Sequence, residues 1–231
     1  GFAPTGPGGK IQVDADRLRL DGGARIYTNT LAASASGAIE LSISDSLRLS
    51  EVSQIYTEAS GSTAAMTGRA GDLRVVAEDI SAVGASNFRS TTLTGAATGA
   101  VELTARSGLT LSGLSGIATQ PLGSGDAGTI RVEAGSVVLD QGGTIISEAN
   151  MEQGSPGSVT LVVAGPIRVS GVGVNSEGVN SPSLISTRVV NADSESDAGD
   201  ISIRAGSLEL LDGGLVSART KTAPSFGFGN A

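Results

Sequence analysis

The fold of this chain is decided by the stretch Gly99-Ala100-Val101-Glu102-Leu103, in which a glycine opens an alternation of apolar and polar residues. The same phrase recurs along the chain, and it opens at Gly9, Gly37, Gly71, Gly99, Gly128, Gly157 and Gly199. Successive openings are 28, 34, 28, 29, 29 and 42 residues apart. A base period of 28–29 residues indicates a repeat architecture, and the two longer intervals predict loop insertions near 60–67 and 171–182.

Each repeat contains three short segments of alternating apolar residues, and such alternation is typical of a half-buried strand. The first segment follows the glycine. The second segments begin at Leu18, Leu47, Ile80, Leu109, Val137, Ile167 and Leu208. The third segments each carry one dominant apolar residue, namely Ile26, Ile55, Phe88, Ile117, Ile146, Ile185 and Val216. Gly, Asp, Ser and Asn lie between the segments and suit corners, because they tolerate bends and positive φ.

Three such short strands cannot bury an apolar face within one repeat, and no helical period competes with the alternation. Winding the chain into a coil solves this, because each strand then pairs in parallel with its equivalent one coil away, at about 4.8 Å. The sequence therefore predicts an all-β fold, a right-handed parallel β-helix of about seven coils with three short strands each. Residues 1–231 are expected to be one solenoid segment of a longer protein, since neither end shows a capping helix.

The outward residues of the first strand provide a check on this register. In order they are Gln12, Glu40, Arg74, Glu102, Arg131, Thr160 and Ser202. The central four alternate in sign, so stacking places opposite charges side by side. Exposed pairs of this kind contribute only about 0–1 kcal/mol each, so we interpret the row as a mark of register and not as a site.

The composition excludes several kinds of chemistry. The 231 residues contain no histidine and no cysteine, which excludes the usual zinc sites, the Ser-His-Asp and Cys-His relays, and disulfides. The net charge is −8 and the basic residues are scattered, so no nucleic-acid partner is expected. No apolar run approaches the roughly 20 residues of a membrane helix, so no membrane insertion is expected. No cofactor is indicated either.

Two pairs of acidic residues are the candidates for acid–base catalysis. Asp14 and Asp16 are two residues apart on a strand and so face the same side, and Glu78 and Asp79 follow the equivalent strand of another coil. Glycoside hydrolysis needs two carboxylates roughly 5–9.5 Å apart across a cleft. Both pairs lie where the first strand turns toward the second, however, and carboxylates are common at such corners. The corner interpretation is favoured.

Two further motifs have a functional and a structural interpretation. The segment Gly123–Gly128 is loosely similar to one calcium-binding β-roll repeat, but a calcium site of that kind needs a tandem array, so a turn is favoured. Tyr27 and Tyr56 are 29 residues apart and occupy equivalent positions. Facing outward, they would form either a small aromatic platform for a sugar or a simple packing contact, and packing is favoured.

The remaining candidates concern surface charge and the second insertion. Arg19 and Arg48 are expected to stack, which indicates either an acidic partner or neutralisation by nearby Asp21 and Asp45. The insertion 171–182 is a polar loop with interspersed valines, and loops on solenoids often carry function. The insertion is equally consistent with an interaction surface and with a surface loop that is tolerated without a function.

The resemblance to a known family lies in the phrase itself. The stretch Asp197-Ala198-Gly199-Asp200-Ile201-Ser202-Ile203, with the following Gly206-Ser207-Leu208-Glu209-Leu210-Leu211-Asp212-Gly213-Gly214, resembles the repeats of filamentous-haemagglutinin-like exoproteins. The resemblance runs along essentially the whole chain. It implies a right-handed β-helical shaft on a bacterial surface or in the medium, exported by two-partner secretion through an outer-membrane transporter. The chain contains no Asn-Pro, so it resembles the repeat shaft and not the secretion domain.

The resulting expectation is a structural or adhesive shaft segment that presents binding or effector modules away from the cell. Its receptor would be a host-cell protein or glycan. We expect no catalytic turnover, and we assign no catalytic, cofactor-binding or metal-binding residue. The alternative is a carbohydrate-active β-helix, a polysaccharide lyase or hydrolase whose site lies in a loop or outside this segment.

Overall fold

The computed structural model describes residues 6–31, 33–60, 68–150, 154–175, 177–190 and 196–220. They form an all-β parallel solenoid of about seven turns, which confirms the predicted fold class. The strands of the first sheet are β1 (Ile11–Leu20), β3 (Ile39–Leu49), β5 (Leu73–Val83), β7 (Val101–Ser112), β9 (Ile130–Asp140), β11 (Val159–Val163), β12 (Pro166–Ser170), β16 (Ile201–Arg204) and β17 (Ser207–Leu211). The strands of the second sheet are β2 (Arg25–Thr30), β4 (Gln54–Ala59), β6 (Asn87–Thr92), β8 (Gly116–Pro121), β10 (Thr144–Ala149), β15 (Leu184–Val189) and β18 (Leu215–Thr220). None of the described residues belongs to a helix that could cross a membrane.

The first two predicted segments are continuous in five of the coils. β1, β3, β5, β7 and β9 each run through both segments, and the pairing of these strands shifts register where the strand bends, as between Ala105 and Gly108. In the next coil the two segments are separate strands, β11 and β12. A bulge in the middle of a strand bends it without ending it, and this is why the alternation alone predicts two strands where the structure has one.

The predicted register of the first and second segments is confirmed. The inward ladder of the first segment pairs Ile11, Ile39, Leu73, Val101, Ile130, Val159 and Ile201 in order. The outward charged row stacks as predicted, but its described ion pairs are made with residues outside the row. Lys10 binds Glu40 at 2.6 Å, and Arg131 binds Glu133 at 2.5 Å.

The third-segment ladder contains one error of prediction. Ile145, and not Ile146, pairs with Ile117 and Ile185, and Ile145 is fully buried. Ile146 is half-buried and lies beside Ala118 in the outward row. Because the two isoleucines are adjacent and both apolar, the alternation of apolar and polar residues does not indicate which of them faces inward. Phe88 does lie between Ile55 and Ile117 with no exposed surface, as predicted.

The glycine that opens each repeat after the first is required by close stacking of the coils. A Cβ built on Gly99 would lie 2.0 Å from the carbonyl oxygen of Gly71, and one on Gly128 would lie 2.1 Å from that of Gly99. Neither glycine has a positive φ. The period of the sequence therefore reflects a ladder of backbone contacts along the solenoid.

An inward row of hydroxyl groups in the second sheet satisfies these glycine carbonyls. Thr28, Thr57 and Thr119 donate through Oγ1 to the carbonyl oxygens of Gly37, Gly71 and Gly128, at 2.6, 2.6 and 2.7 Å. Ser90 accepts from the backbone N–H of Gly99 at 2.8 Å. The row is buried, so these hydrogen bonds remove the cost of unpaired backbone groups inside the solenoid.

At the corner between the two sheets the backbone adopts the left-handed conformation, with positive φ. In the first coil it is made by Gly22 and Gly23, with φ of 62° and 79°, and in the second by Glu51 and Val52, with φ of 53° and 65°. A residue with a Cβ adopts the left-handed backbone conformation at a cost of about 1–2 kcal/mol, and a β-branched residue is especially unusual in it. The Glu51–Val52 corner is therefore strained.

We expect Val52→Gly to stabilise the protein by about 0.5–1 kcal/mol, because it removes the strain and Val52, 54% exposed, contributes little packing. The measurement is the free energy of unfolding from urea titration. The control is Val174→Gly, at a 60% exposed strand valine without positive φ, which should be destabilising. A loss of stability in Val52→Gly would contradict the conclusion that the Glu51–Val52 corner is strained.

Candidate functional site

The described surface contains a groove where the strands of the first sheet bend. We call it the bend groove. It crosses β7, β9, β11 and β16 and has a volume of about 480 Å³. Its floor consists of small or aliphatic residues, Ala105, Ala134, Gly135, Val163 and Ala164. Thr104 and Val162 line its side together with three charged residues, Arg106, Glu133 and Arg204.

Pairing of the strands determines the order of the groove residues. Thr104 of β7 pairs with Glu133 of β9, Glu133 pairs with Val162 of β11, and Val162 pairs with Arg204 of β16. Three strand spacings separate the ends of this row, or about 14 Å. Arg106 lies two residues beyond Thr104. The bend groove is therefore an elongated site that runs across the strands.

The bend groove carries a net positive charge. Arg131 neutralises Glu133 through an ion pair of 2.5 Å. Arg106 and Arg204 are exposed, and neither has an acidic partner within 4.0 Å among the residues that the structure describes. The groove thus combines an apolar floor with two guanidinium groups that form no ion pair among the described residues, on a protein whose net charge is −8.

The same bend is filled with polar side chains in the first coils. Ser44 donates to Asp16 at 2.6 Å, and Arg17 donates to Asp45 at 2.6 Å. This hydrogen bond and the negative charge of Asp45 raise the pKa of Arg17. Farther along the bend, Ser107 donates to Glu78 at 2.7 Å. These contacts link residues of neighbouring coils.

The predicted carboxylate pairs belong to this filled part of the bend. Asp14 accepts a long hydrogen bond of 3.4 Å from Gln12, and Asp16 and Glu78 accept from serines of the next coil. Asp79 is exposed at the bend. None of the four lines the bend groove. Their arrangement agrees with the corner interpretation.

The predicted arginine stack is present, with a different neutralisation. Arg19 pairs in register with Arg48, and Asp21 binds Arg19 at 2.7 Å. Ser50 and Arg19 hydrogen-bond to Asp21 and lower its pKa. Asp45, which was also expected to neutralise the stack, instead binds Arg17 of β1.

The two tyrosines form a stack that continues into a third residue. The rings of Tyr27 and Tyr56 are 5.1 Å apart and inclined by 8°, and the guanidinium carbon of Arg89 lies 4.8 Å from the centre of the Tyr56 ring. Tyr27 is 51% exposed and Tyr56 only 9%. Most of this stack is therefore a packing contact, and a single ring edge and face remain accessible.

Sequence analysis missed an ion pair on the outer face of the second sheet. Glu148 is 6% exposed and binds Arg188, and Gln120 donates to Glu148 at 2.7 Å. These three residues occupy the same outward row on β8, β10 and β15. The strand register would predict this contact. The insertion 171–182 lies between Glu148 and Arg188, however, so their separation along the chain does not match the period of the repeat.

The segment Gly123–Gly128 forms a corner between coils. A Cβ on Gly123 would lie 2.0 Å from the carbonyl oxygen of Thr94, and the Asp126 carboxylate accepts from the backbone N–H of Ser155 at 2.9 Å. Within the described ranges, no three acidic side chains come together to hold a metal ion. The segment therefore lies at a corner, which is where the turn interpretation places it.

The insertion 171–182 contains a short β-hairpin. β13 (Val172–Val174) pairs antiparallel with β14 (Asn180–Pro182), and Asn175 accepts from the backbone N–H groups of Glu177 and Val179 at 3.0 and 2.8 Å. The hairpin lies over the preceding corner and leaves a small groove of about 200 Å³. Residues 61–67 of the other predicted insertion lie outside the described residues.

No family model matches this chain, and neither a curated protein nor a solved structure is significantly similar to it. The structural class of the protein follows from its own fold and surface. It is a parallel β-solenoid with an open, positively charged groove.

Proposed function

We propose that this chain is a structural and adhesive shaft segment of a bacterial secreted or surface-exposed exoprotein. In this role it passes through an outer-membrane transporter and presents binding or effector modules away from the cell. The observation that supports the proposal is the unbroken ladder from Ile11 to Ile201, in which every coil stacks in one register.

Such a ladder is suited to extending a protein. Each coil contacts only its neighbours, so coils can be added without changing the core, and each adds about 4.8 Å. Several charged groups at the bend bind residues of the neighbouring coil, as in Arg17 with Asp45 and Ser107 with Glu78. The absence of cysteine in the 231 residues also suits export in an unfolded state, because no disulfide can block passage.

A carbohydrate-active β-helix is the second candidate, and the bend groove is the observation that favours it. A hydrolase needs two carboxylates across the cleft. Glu133 is the one acidic side chain among the described residues that line the groove, and it is bound to Arg131. The geometry therefore supports binding better than turnover.

The test is an export assay. The chain is fused between the secretion domain of a two-partner-secreted exoprotein and an epitope tag, and it is expressed with the matching outer-membrane transporter. We expect the tag to reach the cell surface or the medium, because the segment has no disulfide and folds by adding coils outside the cell. Surface labelling and immunoblotting of the medium measure the result.

The control is the same fusion expressed without the transporter, which should remain inside the outer membrane. Retention of the chain when the secretion domain alone is exported would contradict the shaft proposal. Reproducible cleavage of a polysaccharide by the purified chain, abolished by Glu133→Gln in the bend groove, would instead favour the second candidate.

A further inference from the structure

We propose that the bend groove binds an extended acidic peptide segment of a partner protein, with two of its carboxylates held by Arg106 and Arg204. This inference rests on the proposed function, because it names the chemistry of a partner that an adhesive shaft would bind.

The shape and lining of the groove favour a peptide. Its volume of about 480 Å³ lies within the range of ligand sites, roughly 300–1,000 Å³. Its floor, where Gly135 and the exposed Ala164 reach the surface, provides aliphatic contact, and the described lining residues include no aromatic ring. A sugar chain would leave many hydroxyl groups unpaired on such a floor, which is costly, whereas apolar peptide side chains would bury favourably.

The charges of the groove select an anion. Arg106 and Arg204 are exposed and have no acidic partner within 4.0 Å in the part of the chain that the structure describes, and Arg131 already neutralises Glu133. A guanidinium group can hold a carboxylate through two parallel hydrogen bonds. Two such groups at opposite ends of one groove therefore specify two carboxylates and the distance between them.

That distance matches an extended peptide. Three strand spacings, about 14 Å, separate β7 from β16 along the solenoid axis. Arg106 is also displaced by two residues along its strand, an offset that the long arginine side chains can span. An extended chain advances about 3.3–3.4 Å per residue and points every second side chain the same way. Acidic residues four positions apart, with an apolar residue midway between them, would place both carboxylates at the arginines and the apolar side chain on the floor.

The groove is a local feature and not a general property of the bend. In the first coils the same bend is filled by hydrogen-bonded pairs, Asp16 with Ser44 and Arg17 with Asp45. In the last coils the corresponding positions are occupied by Gly135 and the exposed Ala164, which leave the floor open. Within the described ranges, Arg106 and Arg204 at its ends have no such partner.

The experiment measures binding of a fluorescent peptide, Glu-Ser-Val-Ser-Glu with both ends blocked, to the full chain by anisotropy. We expect saturable binding that weakens with added salt, and no binding of the matched peptide Gln-Ser-Val-Ser-Gln. Arg106→Gln and Arg204→Gln should each weaken binding by about tenfold or more, as expected for loss of a charged hydrogen bond. Ala164→Trp, which fills the groove and keeps its charges, should abolish binding.

The matched control is Arg168→Gln, which removes an exposed arginine of β12 outside the groove. An equal loss in this control would overturn the proposal, as would the absence of peptide binding at about 1 mM. A short oligogalacturonate that binds more tightly than the peptide and depends on the same arginines would reassign the groove to acidic glycans. Failure of the peptide leaves the shaft proposal standing, because the export assay tests that proposal separately.

Discussion

Replacement of Gly99 by alanine is expected to reduce the free energy of unfolding by about 3 kcal/mol, at the upper end of the usual range for overpacking. The new Cβ would lie 2.0 Å from the carbonyl oxygen of Gly71 and 2.9 Å from the backbone nitrogen of Asp72. These are backbone atoms of the adjacent coil, so no side-chain rotation can relieve the contact. The coils would have to separate at this corner, which would also weaken the hydrogen bond from Gly99 to Ser90.

The matched control for this prediction is Gly9→Ala. Gly9 occupies the same position of the repeat, but a Cβ built on it has nothing within 4 Å. Its substitution should change stability by no more than about 0.5 kcal/mol. Urea titration followed by circular dichroism measures both variants. Similar stability of the two variants would show that the glycine ladder is not as closely stacked as described.

Phe88→Ala is expected to destabilise the protein by about 3–5 kcal/mol, the usual cost of truncating a buried aromatic residue. Phe88 is the largest of the fully buried side chains and has no exposed surface. It lies between Ile55 and Ile117, one coil to either side, so the cavity could close only if three coils moved together. The same titration provides the measurement.

Leu93→Ala is the control for Phe88→Ala. Leu93 follows the same strand, β6, but is 49% exposed, so its loss should cost little. A cost below about 1 kcal/mol for Phe88→Ala would mean that the ring is not buried between the two isoleucines. The register of the whole second sheet would then have to be revised.

Sequence reasoning predicted the parts of the fold that repeat with the period. The stacking of Ile11 on Ile39 and of Tyr27 on Tyr56 follows from spacings of 28 and 29 residues and needs no knowledge of curvature. Arg89 continues the tyrosine stack but was missed, because the first insertion places it 33 residues after Tyr56.

The bend groove could not be predicted in this way. It depends on how sharply the strands turn at their bulges, and alternation of apolar residues does not report the angle of a turn. Its two arginines, Arg106 and Arg204, are 98 residues apart and occupy different positions of the repeat. The strand register places Arg204 in the row of Thr104, and the bend of the sheet brings this row and Arg106 to the same groove.

The hairpin formed by β13 and β14 shows where this architecture can change in length. It replaces a corner that other coils make in a few residues, yet the ladders on both sides continue, with Val169 paired to Leu139 and Ile185 to Ile145. Lengthening a loop is cheap, about 0.6 kcal/mol for each doubling. Insertions and deletions in the evolution of such a chain should therefore accumulate at this edge, and it is the natural place at which to graft a foreign epitope.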